Sequence, residues 1–298
     1  MSKPQLIDLI ARSRKVFFYF VGHCNQSYRS GHDLAKYRQI ITHHKKVKDI
    51  GKLVERDGFL ALVYETLKAW NMDQRAAELT SFTHFSKSIR SLKAVLQRLY
   101  EHDLAGVDGA ERLSILTDLE KVFKTVDVMR SQRKIVGVSK TLHFLLPDLV
   151  MPIDSKYTMQ YYFGYNRYHK EPEKEFLDFK AILEKNRFLA HKLALKKSDA
   201  RGGKWNTSIT KLPDNATIGM NKVMEQQTAE DVLDIISGID ALDIAERKTY
   251  LPLLQKQKKA MSAERRARAH KELLLKKAKE QGITVTPEEL EEELRRTK

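Results

Sequence analysis

"EPEKEFLDFKAILEKNRFL", residues 171–189, is the stretch whose reading decides the fold. Its apolar residues Phe176, Phe179, Leu183 and Phe188 recur at helical intervals, not with the alternation of a strand. Pro172 suits the first turn of such a helix, where a missing N–H costs nothing. The same period returns at Ile89, Leu92, Leu96 and Leu99, and again at Leu116, Leu119, Phe123 and Val126. "FFYFV" at 17–21 has the composition of a strand, but its flanks continue a helical phase from Leu6 and Ile10. Alternating runs bounded by hairpin turns are scarce. The pattern predicts an all-α protein.

Composition bounds the rest. The chain has 298 residues, 42% apolar and 8% aromatic, enough for one large core or two small ones. Its one cysteine, Cys24, excludes an internal disulfide framework and a cysteine-based zinc or iron–sulfur site, and is expected to be an ordinary buried thiol. His43 and His44 are adjacent and so point in different directions on a helix, and no metal or other cofactor is expected. No window is long and apolar enough to span a bilayer, and the N-terminus lacks a signal-peptide cleavage pattern, so the expected location is cytoplasmic. Lys+Arg number 54 against 39 Asp+Glu, a formal net charge of +15. DNA, double-stranded, is the expected partner, because neutralising phosphates supplies most non-specific affinity; the blander use of such charge is solubility.

Turn signals fall at Gly31, at "LAGVDG" (104–109), between Pro147 and Pro152, and across "DARGGKWNTSITKLPDN" (199–215). The composition changes near Glu246, dividing the chain into a helical body, 1–245, and a charged helical extension, 246–298. The extension is first basic, "QKQKKAMSAERRARAHKELLLKKAKE", then acidic, "TPEELEEELRR", with Thr286 and Pro287 forming a good helix start. A nucleic-acid arm, a helix for a protein partner or dimer, and a merely solvated helix all fit it.

"RKIVGVSKTLHFLLPDLVMPID" (133–154) carries the candidate chemistry. A helix over 116–130, a turn at Gly137 and a short helix from Ser139 to Leu146 would leave free backbone N–H groups at the second helix start. Such groups bind phosphate without reading sequence; Ser139 would cap and Lys140 add a point charge. Asp154 would cap the helix beginning at Ser155. The basic loop Arg201–Lys204 offers further phosphate contacts, with Trp205 either anchoring it to the core or inserting into DNA.

The segment "IVGVSKTLHFLL…PIDSKYTMQYYF", within 135–163, resembles the helix-hairpin-helix DNA glycosylases. Gly137, Val138 and Ser139 fall where that family has Gly–Val–Gly, and Asp154 falls where it has its catalytic aspartate. Val136 replaces the hairpin proline, Ser139 the second glycine, and the segment between hairpin and aspartate is shorter. Lys140 or Thr141, depending on one gap, falls at the family's Schiff-base lysine. The resemblance implies a helix-hairpin-helix body and cleavage of the N-glycosidic bond of a damaged or modified base. Asp154 would stabilise the cationic sugar, and Lys140 would attack C1′; a Thr141 alignment would leave water as nucleophile. Gly137, Ser139, Lys140, Thr141, Arg201 and Lys204 would hold phosphates. Aromatic candidates to hold a flipped base are Tyr157, Tyr161, Trp70, Phe18 and Trp205, with Tyr165 and Tyr168 nearby, a surround broad enough for a bulky base. The alternatives are a non-enzymatic DNA-binding protein with this hairpin and an interaction protein acting through 246–298.

Overall fold

In the computed structural model the described residues are 4–28, 31–73, 78–106, 111–131, 134–164, 169 and 171–280. Helices follow one another almost without interruption. The first seven are α1 (Leu6–Ile10), α2 (Arg14–Ser27), α3 (His32–Val47), α4 (Ile50–Val54), α5 (Asp57–Ala69), α6 (Phe82–Ser91) and α7 (Lys93–Tyr100). Then come α8 (Glu111–Thr125), α9 (Ile135–Leu145), a π-type turn (Ser155–Met159) leading into α10 (Gln160–Phe163), and α11 (Pro172–Lys192). A 3₁₀ turn (Lys197–Asp199) precedes α12 (Lys211–Gln226), α13 (Ala229–Ile239) and α14 (Ile244–Glu280). The fold is all-α, and among the described residues β pairing is limited to an isolated bridge between Leu79 and Met129.

Local chemistry accounts for many boundaries. Ser13 and Ser81 accept the N–H groups of Val16 and His84 at the starts of α2 and α6, and Thr228 with Asp231 forms a capping box on α13. Pro172 opens α11, with Glu173 and Glu175 in its first turn and His191 and Lys192 in its last, as the helix dipole favours. The "FFYFV" run lies within α2. One detail of the α11 stripe differs from expectation. Phe176, Phe179, Ile182 and Leu183 are buried, while Phe188, five residues past Leu183, points to solvent beneath the Lys185 ammonium, 5.8 Å from its ring.

Two helices are enclosed on every side: α9 from Gly137 to Leu145 and α12 from Lys211 to Asn221. α2 crosses α12 so closely that a Cβ at Gly219 would run into the Phe20 carbonyl, so only glycine fits. A helix buried all round is ordinarily apolar throughout. These two carry Ser139, Lys140, Thr141 and His143, and Lys211, Asp214, Asn215, Thr217 and Asn221, all buried.

α14 begins within the last turn of the body and docks on it through Leu254, Gln257 and Met261. The Gln257 amide donates to Gln160 Oε1 at 2.6 Å, and the Lys258 ammonium donates to the carbonyls of Met224, at 2.6 Å, and Gln227, beyond the end of α12. The acidic segment with Thr286 and Pro287, like Tyr165 and Tyr168, lies outside the described residues. Among the described residues no helix is long and apolar enough to cross a membrane.

Candidate functional site

The expected phosphate-gripping hairpin is replaced by a different arrangement. α8 ends at Thr125, and α9 starts at Ile135, so Gly137 is in the first turn of α9 and not in a turn between helices. Two of the N–H groups at that helix start already have an internal acceptor. The buried Glu175 carboxylate, from α11, accepts from Lys134 N at 2.9 and 3.1 Å and from Ile135 N at 3.4 Å. An internal anion thus stands where an external one was expected.

The side chains of α9 are committed as well. Ser139 Oγ donates to Val136 O at 3.1 Å and accepts the Ile153 N–H at 3.1 Å; Thr141 Oγ1 donates to Gly137 O at 2.9 Å. Gly137, Ser139 and Thr141 are all buried, so none offers a surface to a phosphate. Ser139 has a different consequence. By holding Ile153 it ties the following residue, Asp154, alongside α9.

Lys140 and Asp154 meet there. Lys140 Nζ lies 3.8 Å from Asp154 Oδ2, with side chains 9% and 34% exposed respectively. The Asp154 Oδ1 atom accepts the Tyr157 N–H at 3.2 Å, so one carboxylate both caps the following turn and faces an ammonium group. The Lys140 ammonium also lies near soft groups, Met72 Sδ at 3.5 Å and the Trp70 ring centroid at 5.9 Å.

A second pair lies behind the first. Lys211 and Asp214, one turn apart on α12, form an ion pair that is almost wholly buried. The Lys211 ammonium sits 5.4 Å from the Trp70 centroid and 5.2 Å from that of Trp205. Burial pushes the Asp214 carboxyl up from its ordinary range, against the pull of Lys211. Trp70 is therefore shared by two lysines, and its Nε1–H is buried with no hydrogen-bond partner among the described residues. Tyr28 completes the aromatic wall, edge-on to Trp205 at 5.4 Å and to Tyr157 at 6.3 Å. The cluster reaches solvent at Asp154, Tyr157, Tyr28 and Trp70, which are partly exposed.

The other expected site residues divide. Trp205, 2% exposed, anchors its loop: its N–H donates to Asn25 Oδ1 at 2.8 Å, and its ring packs in the core. Lys204 spends its ammonium on the Tyr28 carbonyl at 2.6 Å, and its own carbonyl accepts from Arg38 at 3.0 and 3.2 Å. That loop is pinned, while Arg201 within it is exposed. Tyr161 is fully buried with its hydroxyl 3.6 Å from Met224 Sδ, so it is core and not a base-holding surface. Phe18 lies under the Arg14 guanidinium at 4.8 Å, and no described contact joins it to Lys140 or Asp154. Cys24 is buried, its thiol pushed up to about 12 by desolvation.

Lys211, Asp214, Met72 and Tyr28 were not singled out by the sequence reading. "TKLPDN" does show lysine and aspartate three residues apart, but it reads as the end of a loop; α12 instead begins at Lys211, with Pro213 in its first turn. Protein-family models, curated proteins and solved structures were compared with this chain, and none matches it.

Proposed function

We propose that this chain is a DNA glycosylase that removes a damaged or modified base, with Lys140 and Asp154 at the reacting centre. The observation that carries the reading is their juxtaposition. A lysine on a buried helix and an aspartate fourteen positions later stand 3.8 Å apart beside an aromatic wall, with the aspartate open to solvent. Glycosidic cleavage leaves positive charge on the sugar, and a carboxylate beside it stabilises that charge.

The step runs as follows. Asp154 takes a proton from the Lys140 ammonium as nucleotide approaches. The free amine attacks C1′, the C1′–N bond to the base breaks, and its electron pair leaves with the base, which takes the proton held by Asp154. Ring opening then yields an imine between C1′ and Lys140 Nζ. If water attacks in place of Lys140, Asp154 accepts its proton and the product is a free abasic sugar. Tyr157, Tyr28 and Trp70 supply partly exposed aromatic faces in this cluster. The surplus of 54 Lys+Arg over 39 Asp+Glu supports a duplex partner.

The test is base release from a panel of duplexes, each holding one damaged or bulky modified base. Asp154→Asn is expected to cut release by about two to three orders of magnitude while leaving duplex binding intact. Lys140→Gln is expected to abolish the covalent adduct trapped by borohydride; release that survives this change assigns water as the nucleophile. If no duplex in the panel yields an abasic site, the enzymatic reading fails and DNA binding without chemistry takes its place.

A further inference from the structure

A cavity of about 330 Å³ lies apart from Lys140 and Asp154, at the C-terminal end of α3. Its volume is at the lower end of the range that holds small molecules, about 300–1,000 Å³. Tyr37 connects the two regions: its ring packs 5.3 Å from Trp70, while its hydroxyl meets Thr207, in the cavity wall, at 2.6 Å.

The proton positions on this wall follow from its hydrogen bonds. His44 Nε2 is 2.8 Å from the Phe144 carbonyl, which only accepts, so the ring proton is there and Nδ1 accepts the Tyr100 O–H at 3.1 Å. His143 Nδ1 likewise donates to Val150 O at 2.7 Å, so Nε2 accepts the Tyr37 O–H at 2.7 Å. Tyr37 must then accept from Thr207. Thr210 gives its proton to the Pro147 carbonyl, which leaves it accepting from Ser208 at 3.2 Å. Tyr100, Thr207 and Ser208 all line the cavity, and all three have committed their protons elsewhere. What remains on them is lone pairs.

The charged part of the lining is mainly cationic. Lys45, Lys48 and Lys197 face the cavity against one carboxylate, Asp148. Lys197 is held by Asp103 at 3.3 Å and Asp148 at 3.2 Å, whereas Lys45 and Lys48 have no ion-pair partner among the described residues. Lysines near a helix C-terminus are favoured by the dipole in any case. Lys48 goes further: its φ is 50° and ψ is 30°, the left-handed conformation that glycine adopts freely and lysine adopts at a cost. A helix end that needed only a stop would have glycine there.

We infer that this cavity binds a nucleoside 5′-monophosphate, free or as the phosphorylated 5′ end of a strand. The phosphate meets Lys45 and Lys48, and sugar hydroxyls or base amino groups donate to the Tyr100, Thr207 and Ser208 oxygens. Ile41, Leu146 and Leu149 offer the apolar surface against which the base packs. The site shares no residue with the Lys140–Asp154 centre and does not depend on its assignment.

Calorimetric titration of the full-length protein with AMP, inorganic phosphate and adenosine tests the inference. AMP is expected to bind, with adenosine at least tenfold weaker. Lys45→Glu/Lys48→Glu should weaken AMP by tenfold or more without altering the circular dichroism spectrum. Lys48→Gly should raise the melting temperature, by relieving the backbone, while weakening AMP. Comparing a 5′-phosphorylated with a 5′-hydroxyl oligonucleotide separates the sources: preference for the phosphate there, with no binding of AMP, assigns the strand end. Equal binding with and without phosphate in both pairs overturns the proposal, as does unchanged affinity in the double variant.

Discussion

At the residue scale, the side chain that most changes the reading of this protein is Glu175. Its carboxylate bridges from α11 to the first N–H groups of α9, over a sequence separation of about forty residues. Two N–H groups at the helix start are thereby taken by an internal carboxylate, which ties α9 to α11. Lys140, two turns along at most, inherits that position. Glu175→Gln keeps the size and removes the charge, so it should lower stability by about 1.5–3 kcal/mol, the worth of hydrogen bonds to a charged group. Urea unfolding measures this directly. A variant as stable as the parent would mean that the α9 start is held by something other than Glu175. Asp154 itself resolves without a contest between roles. One oxygen caps the turn that follows and the other faces Lys140, so capping still leaves an oxygen for the proposed reaction.

At the element scale, the contrast between the helices is instructive. The stripes of α7, α8 and most of α11 were legible because each needs only one apolar face at a helical period. α9 and α12 were misplaced at their starts, because a helix enclosed on all sides has no polar face to mark its phase. α14 combines both behaviours. Through Leu254, Gln257 and Met261 it is part of the body, and Arg265 still reaches Glu225 at 3.5 Å. From Arg266 to Glu280 the sequence holds six lysines and arginines against two glutamates, and Leu273 and Leu275 are exposed. A chain ending at Arg265 should therefore melt as the full-length protein does. It should bind duplex DNA more weakly, with a shallower dependence of log K on log salt, because fewer phosphates are neutralised. An unchanged salt slope would remove the distal helix from the DNA contact. Ending the chain before α14 should instead lower the melting temperature, since the Gln257–Gln160 contact and the Lys258 bonds near the end of α12 go with it.

At the scale of the whole molecule, buried imidazoles should govern the response to acid. Burial holds His44 down at about 4 and His143 at about 3, against an ordinary value of 6.5. Both are neutral in the folded state, whereas in the unfolded chain they take up protons below pH 6.5. The unfolded state then binds more protons, so stability falls as pH drops from 6.5 towards those lower values. At about 1.4 kcal/mol per pH unit, His44 alone accounts for a loss of roughly 3 kcal/mol by pH 4. His44→Gln should flatten the pH dependence of urea unfolding between pH 6.5 and 4; parallel curves for variant and parent would refute the assignment.

Features governed by local rules could be read from residue order alone. Helical periods, proline and serine at helix starts, acidic first turns and the excess of positive charge act within a few residues or over the whole chain at once. The segment holding Lys140 and Asp154 also stood out, but the turn expected at Gly137 is the first turn of α9. Only the tertiary structure decided which polar groups are buried and whom they meet. Glu175 capping α9, Lys211 sharing Trp70 with Lys140, and Tyr37 joining Thr207 to His143 are all contacts between distant segments. Nothing in the spacing of such residues records their partners, because each pairing is selected by packing and by the penalty for leaving a buried polar group unmatched.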